Sequence, residues 1–367
     1  MAPSAASPDR LTPTWEPAAL EAWCEPGGPL HNTGTLADLC GSNPADPAAQ
    51  HQLATTTQRV AELEALGVRP GEVVAWQLPN CGDSVVMYRA CWELGAVAAP
   101  IHHLAGDAEV ESMLAALSPT AFMAPDGQLA QRKPSTEAAD TGTSSSRTSS
   151  KRTSATRTSA TRTSSERTSS AQRPSVTATP SDIAVVLHTS GSSGRPKGVM
   201  HTHRALAYKA RTMARLHGLG ASDAVLMPAP LAHVSGLLNG ILVPAAAGMR
   251  TVLMARWDPE DALALIESER VTFMVGPPTF FIGLEQADGF HPERVESLRV
   301  LSVGGAGVTP EFVDRTSQIF GAQVKRSYGS TEAPTVTSSA TTDDPWTMAR
   351  TDGRPTGAVQ IRTVAPE

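Results

Sequence analysis

Residues 182–203 read Asp-Ile-Ala-Val-Val-Leu-His-Thr-Ser-Gly-Ser-Ser-Gly-Arg-Pro-Lys-Gly-Val-Met-His-Thr-His. The apolar run 183–187 predicts a short buried strand. It empties into small hydroxyl residues and glycines over 189–194, and a helical pattern begins at about residue 201. Gly191 and Gly194 lack a Cβ, so the backbone can bend sharply there and close its N–H groups around an anion. Thr189, Ser190, Ser192 and Ser193 add hydroxyl donors, and Lys197 adds a mobile positive charge of the kind that grips phosphate. The stretch therefore reads as a phosphate-binding loop. A Ser/Gly surface linker shares the composition, but not the strand before it or the ordered Arg-Pro-Lys-Gly after it.

This is not a Walker A loop, which requires Gly-x-x-x-x-Gly-Lys-Ser/Thr. Lys197 follows Gly194 by three residues and precedes Gly198, so no hydroxyl sits beside it for magnesium. The pattern Thr-Ser-Gly-Ser-Ser-Gly-x-Pro-Lys-Gly instead resembles the signature loop of the adenylate-forming superfamily. That superfamily holds acyl-CoA synthetases, peptide adenylation domains and luciferases. A second motif agrees: Ser327-Tyr-Gly-Ser-Thr-Glu332 is similar to the superfamily's Tyr-Gly-x-Thr-Glu element. Tyr328, Gly329 and Ser330 would line the adenine, and Tyr328 offers a flat face for stacking. Thr331 can donate to the α-phosphate, and Glu332 is a hard oxygen ligand suited to Mg2+. Read without the resemblance, Gly-Ser-Thr-Glu is also a common helix-capping turn. Arg326 stands where many acyl-CoA synthetases carry a small or amide residue.

Between these motifs lie two weaker ones. Gly304-Gly305-Ala306 ends a strand predicted over 299–303, the usual ligand position in open α/β sheets. The resemblance places adenine and acyl groups beside it. Pro230-Leu-Ala-His-Val-Ser-Gly236 opens an apolar segment, and resembling synthetases set such a histidine at the acyl pocket. His233 and Val234, with Gly304, are thus the expected acyl contacts, although a lone histidine in apolar company is more often a core residue. Peptide-activating relatives carry an aspartate just after this position to hold an amino group. Val234 and Ser235 follow here, and a buried ammonium without a partner is costly. A plain carboxylic acid fits better than an amino acid. The near-terminal phrase Gly353-Arg-Pro-Thr-Gly357 is similar to a further superfamily turn, with its second glycine one residue early.

The chain has 367 residues and a net charge of −6, enough for two domains or one large one with subdomains. Cys24, Cys40, Cys81 and Cys91 lack the spacing of a metal site or disulfide scaffold, and no signal peptide precedes them, so the expected location is cytoplasmic. Residues 231–249 contain no Asp, Glu, Lys or Arg, yet polar residues, glycines and a proline interrupt them, which predicts a buried helix and a turn rather than a membrane span. Residues 1–54 are a Pro- and Ala-rich lead-in. From 55 to 132 strands at 73–78, 97–101 and 121–124 alternate with helices at 60–67, 83–94 and 109–117, the second expected to be capped by Asp83. Such alternation implies an α/β fold, mostly parallel sheets covered by helices.

Residues 133–179 break this order with a Ser/Thr/Arg repeat, Arg147, Arg152, Arg157, Arg162 and Arg167 falling five apart. From Arg147 to Arg173 seven basic residues face one acid, Glu166, so this piece carries +6 and the rest of the chain −12. A segment this polar is expected to be a disordered insertion. No aromatics are interleaved for base stacking, so a nucleic-acid partner is not expected.

The resemblance covers about residues 55–130 and 180–367, the two parts of an AMP-binding domain. It implies activation of a hydrophobic carboxylic acid with ATP and Mg2+, then transfer to coenzyme A. It breaks off before the superfamily's ribose-binding Thr-Gly-Asp element and its C-terminal lysine domain, so that domain is expected to be absent here. The competing reading is a non-catalytic nucleotide- or acyl-binding remnant.

Overall fold

The computed structural model describes residue 36 and residues 47–132, 178–189 and 196–364, with side chains from Leu53 onward in the first long segment. Most of the expected lead-in, nearly all of the expected insertion, and Ser190, Gly191, Ser192, Ser193 and Gly194 lie outside the described residues.

Two sheets form the frame. The first runs β4-β3-β1-β2-β5-β6 and the second β13-β12-β11-β10-β9-β7-β8. In the first, β1 (Val73–Trp76), β2 (Val97–Pro100), β3 (Ala121–Met123) and β5 (Ile183–Thr189) are parallel, while β4 (Leu129–Gln131) and β6 (Lys197–Thr202) turn back along its two edges. In the second, β7 (Ala224–Met227), β8 (Arg250–Leu253), β9 (Phe273–Gly276), β10 (Val300–Val303) and β11 (Gln323–Tyr328) are parallel. The short β12 (Thr337–Ser338) and β13 (Arg354–Pro355) add antiparallel pairs beyond β11. The central strands β2, β7, β9 and β10 are buried throughout, as expected of parallel strands covered on both faces.

Helices α1 (Pro47–Ala65), α2 (Gly82–Leu94), α3 (Asp107–Leu117) and α4 (His203–His217) precede a composite segment: α5 (Val234–Leu237), a π-turn Leu238–Leu242 and α6 (Val243–Ala247). The segment is almost wholly buried and closes on Gly248 at φ 69°, so residues 231–249 form the expected buried helix and turn. Then follow α7 (Pro259–Glu269), α8 (Pro278–Gln286), α9 (Pro310–Phe320) and α10 (Pro345–Arg350). One apolar core gathers side chains of both sheets with Tyr88 and Trp92 of α2, Leu206 and Met213 of α4, and Leu238. A second core packs α7, α8 and α9 on the far face of the second sheet. No helix among the described residues is long and apolar enough to cross a membrane.

Two sequence expectations need correction. The signature loop does not lead from a strand into a helix: it joins β5 to β6, which pair antiparallel with Thr189 opposite Lys197. β6 lies at the sheet edge with only His201 buried, so its residues show no alternating apolar period. The helix starts at His203, where Thr202 accepts a capping hydrogen bond from the Ala205 N–H at 3.2 Å. In α2 the N-cap is Cys81, and Asp83 lies in the first turn, where its charge still complements the helix end.

Polar groups are also buried where the apolar pattern of α4 does not announce them. His217 is 1% exposed beside Phe273, and neither ring nitrogen has a partner among the described residues. Burial, with the charges of Lys325 and Arg299 adding to it, lowers its pKa to about 3. An unfolded histidine titrates near ~6.5, so protons bind the unfolded chain more tightly, and stability falls as pH drops below that value. We expect His217 alone to remove on the order of 2 kcal/mol between pH 7 and pH 5. Urea unfolding at both pH values should show a smaller acid loss for His217→Leu; an identical loss in both proteins would refute this account.

Candidate active site

Asparagine 80 sets the position of the site. It is 5% exposed, and its Nδ2 lies 2.8 Å from the Ala229 carbonyl, 3.1 Å from that of Met254 and 3.2 Å from that of Met227. Its Oδ1 accepts from the Leu231 N–H at 2.8 Å, and Tyr88 donates its hydroxyl to the Leu231 carbonyl at 2.7 Å. Residues of the first sheet's layer thus fix the chain leaving β7 of the second. That chain then folds tightly: a Cβ on Gly236 would sit 2.0 Å from the Pro230 carbonyl oxygen, so only glycine fits. His233, four residues after Ala229, is presented at the N-cap of α5 without capping it.

Beside this segment opens a cavity of about 580 Å³. It lies at the carboxyl ends of β5, β7, β9, β10 and β11, where open α/β sheets place ligands. Of the sequence-predicted residues it is lined by Thr189, His233, Val234, Gly304, Gly305, Tyr328, Gly329, Ser330 and Thr331. Ala306 is exposed and outside the lining. Lys197 and Glu332 are exposed and also outside it, but the Lys197 charge reaches Glu332. Met213, Leu238, Val275 and Phe280 supply an apolar wall that no motif revealed.

The approach of β11 to β10 is close. A Cβ on Gly304 would lie 2.4 Å from the Ser327 carbonyl oxygen, which explains the glycine at that strand end. Beyond Tyr328 the chain makes a turn, not a helix, so Ser330-Thr331-Glu332 does not act as a cap. The Ser330 N–H donates to the Ala333 carbonyl at 3.1 Å. Arg326 pairs with Asp352 at 2.8 Å and donates to the Ala349 carbonyl at 3.1 Å, and it does not line the cavity.

Two basic residues missed by sequence reasoning hold this turn. His201, 6% exposed on β6, has its Nε2 2.8 Å from the Thr331 carbonyl. Lys209 donates to the Thr335 carbonyl at 3.1 Å and to Thr356 Oγ1 at 2.8 Å, and burial lowers its pKa to about 8. The partners stand 130 and 126 residues away, so no local pattern could have shown them. His201 thereby ties the Tyr-Gly-Ser-Thr-Glu turn to the strand that follows the signature loop.

Desolvation lowers the pKa of His188, His201 and His233, so their imidazoles are neutral at neutral pH. The Glu332 carboxyl is lowered by its own backbone N–H, then by Ser330, with His201 and Lys197 adding to this. It is ionised and open to solvent. No group of three or more His, Cys, Asp or Glu among the described residues could hold a metal ion by itself. A single carboxylate fits Mg2+ that arrives with phosphate oxygens and water completing its shell.

Removing the His201 contact should loosen the turn. We expect His201→Ala to speed amide hydrogen exchange over residues 329–335 by roughly 2- to 12-fold, the worth of one ordinary hydrogen bond, and His201→Gln to restore part of the protection. Unchanged exchange in the alanine variant would show that the contact does not hold the turn.

Known proteins resemble this chain in sequence and in fold. The chain is 31% identical over 305 residues to the medium-chain fatty-acid–CoA ligase of Escherichia coli K12, covering 82% of this chain and 53% of that protein. It is 29% identical over 284 residues to a feruloyl-CoA synthase of an Amycolatopsis species, covering 76% of this chain and 54% of the other. The chain therefore spans about half the length of these relatives. The crystal structure of ATP-bound MatB from Rhodopseudomonas palustris superposes with a TM-score of 0.64 at 21% identity, over 81% of this chain and 57% of MatB, a likeness of fold. The AMP-binding enzyme family matches residues 51–367, and the chain belongs to that family.

Proposed function

We propose that this protein activates a hydrophobic carboxylic acid with ATP and passes the acyl group to coenzyme A. The observation that carries this reading is the single cavity around which Thr189, His233, Gly304 and Tyr328 to Thr331 converge, open beside the hairpin that bears Lys197. The named relatives support it, since they are CoA ligases acting on different acids.

In the proposed reaction a carboxylate oxygen attacks the α-phosphorus of ATP, and pyrophosphate leaves. The thiol of coenzyme A then attacks the acyl carbonyl, and AMP leaves. Such chemistry needs positioning and neutralisation of charge more than covalent help from the protein. The signature loop and Lys197 hold the β- and γ-phosphates. Thr331 donates to the α-phosphate, with its place fixed through its own carbonyl by His201. Tyr328, 61% exposed, is free to stack against adenine. Glu332 would hold Mg2+, which neutralises phosphate charge when bound. The acid lies against the apolar wall, its carboxylate near Gly304 and its body beside His233. A free amino acid is disfavoured because no acidic residue follows His233 at once and none among the described residues lines the cavity.

Lys197→Ala is expected to weaken ATP–Mg2+ binding by roughly 1.5–3 kcal/mol, the worth of a charge-assisted hydrogen bond. Calorimetry on both proteins checks this, alongside acid-dependent exchange of labelled pyrophosphate into ATP. Equal affinity in the two proteins, or the absence of ATP binding, would overturn the nucleotide assignment. Exchange driven best by a free amino acid would overturn the substrate class.

A further inference from the structure

One feature of the cavity wall exceeds what a plain hydrocarbon acid requires. His188 and His233 both line it, and behind His233 the rings continue: His102 lies 5.1 Å from His233 and stacks on His103 at 4.8 Å. The four imidazoles come from three separate parts of the fold: the turn after β2, the end of β5 and the start of α5. Only the His233 position was legible as a motif.

These rings have hydrogen-bonding capacity left over. His102 Nδ1 accepts from the Leu104 N–H at 3.1 Å, which leaves its proton on Nε2 in the neutral ring. No hydrogen bond to the His233 ring exists among the described residues, and the ring stays open to the cavity. His188 Nδ1 is buried with no partner among them, so the ring lines the cavity by its other edge. Met213, Leu238, Val275 and Phe280 add apolar lining to the same cavity.

We propose that His233, with His188 of the same cavity lining, binds a neutral hydrogen-bonding group, a hydroxyl or carbonyl, carried by the acid whose remaining body packs on the apolar lining. The proposal rests on the reading of this cavity as the acyl site. A neutral imidazole offers one donor and one acceptor, which matches a hydroxyl or a carbonyl oxygen. A second carboxylate is a poorer fit: neutral rings give it no counter-charge, and the negative field of Glu109 already reaches His102 and His188. Desolvation holds His102, His188 and His233 below the ordinary histidine pKa, in keeping with neutral rings. An ammonium would need a carboxylate in the wall, and none lines it. His188 and His233 act in this account as specificity residues, His102 as the ring that fixes the His233 imidazole.

The test is calorimetry on the full chain with AMP bound, using matched acids that differ by one hydroxyl: benzoate and 4-hydroxybenzoate, cinnamate and 4-hydroxycinnamate, octanoate and 8-hydroxyoctanoate. Within the best-binding pair the hydroxylated acid should bind about tenfold more tightly, the effect of one hydrogen bond made in a site otherwise left unpaired. His233→Phe and, separately, His188→Leu should each shrink that ratio toward one, with AMP affinity read in parallel as the measure of an intact fold. Equal binding within every pair overturns this proposal and leaves the acyl-site reading standing. So does a ratio unchanged in both variants, or a preference for succinate or glycine over all six acids. Bound AMP with no acid bound at all overturns the acyl-site reading and the proposal together.

Discussion

The arrangement of the molecule depends on one buried amide. Asn80 leaves the first sheet and inserts its side chain among carbonyls at the ends of β7 and β8. Those carbonyls lie where parallel strands stop and their ladder ends; that of Met227 still accepts the Met254 N–H, at 3.2 Å, and Asn80 donates to all three. One short side chain supplies donors there and accepts the Leu231 N–H in return. An aspartate could not donate, and a leucine would leave the group unpaired in a dry place, at about 1–3 kcal/mol for each lost partner. Because Leu231 is held, the tight turn to Gly236 is held, and with it the histidine that faces the cavity.

The same logic orders the opposite wall. His201 and Lys209, two buried bases, meet backbone carbonyls of the turn that follows β11. Both stand on the β6–α4 stretch that continues directly from the signature loop. The two motifs that sequence reading singled out are therefore mechanically one piece, joined by residues belonging to neither.

Much of this was legible beforehand, for identifiable reasons. The central strands are continuous apolar runs, because parallel strands between two layers have no wet face. The motifs stood out because a phosphate-gripping loop and a strand-end glycine impose composition locally. What escaped has the opposite character. β6 escaped, and the helix was expected from about residue 201, because an edge strand with one buried residue carries no period. His188, His102 and the apolar wall escaped because a cavity is built by residues adjacent only after folding. Arg326, an oddity beside the nucleotide motif, proved to be anchored to Asp352 and α10 instead. The +6 repeat and the glycines of the signature loop lie outside the described residues, and their roles rest on the sequence.

The order of strands also bears on how the chain tolerates growth. β4 closes one edge of the first sheet, and the next strand in the chain, β5, pairs with β2 on the far side of β1. The stretch between Gln131 and Ile183 thus joins two ends that are each anchored independently, by β3 on one side and β2 on the other. A five-residue unit copied several times over at this point adds no residue to any described strand or to the cavity lining. Duplication slippage in the coding sequence would meet little resistance from the fold here, whereas the same insertion between Asn80 and α2 would separate the clasp from its layer.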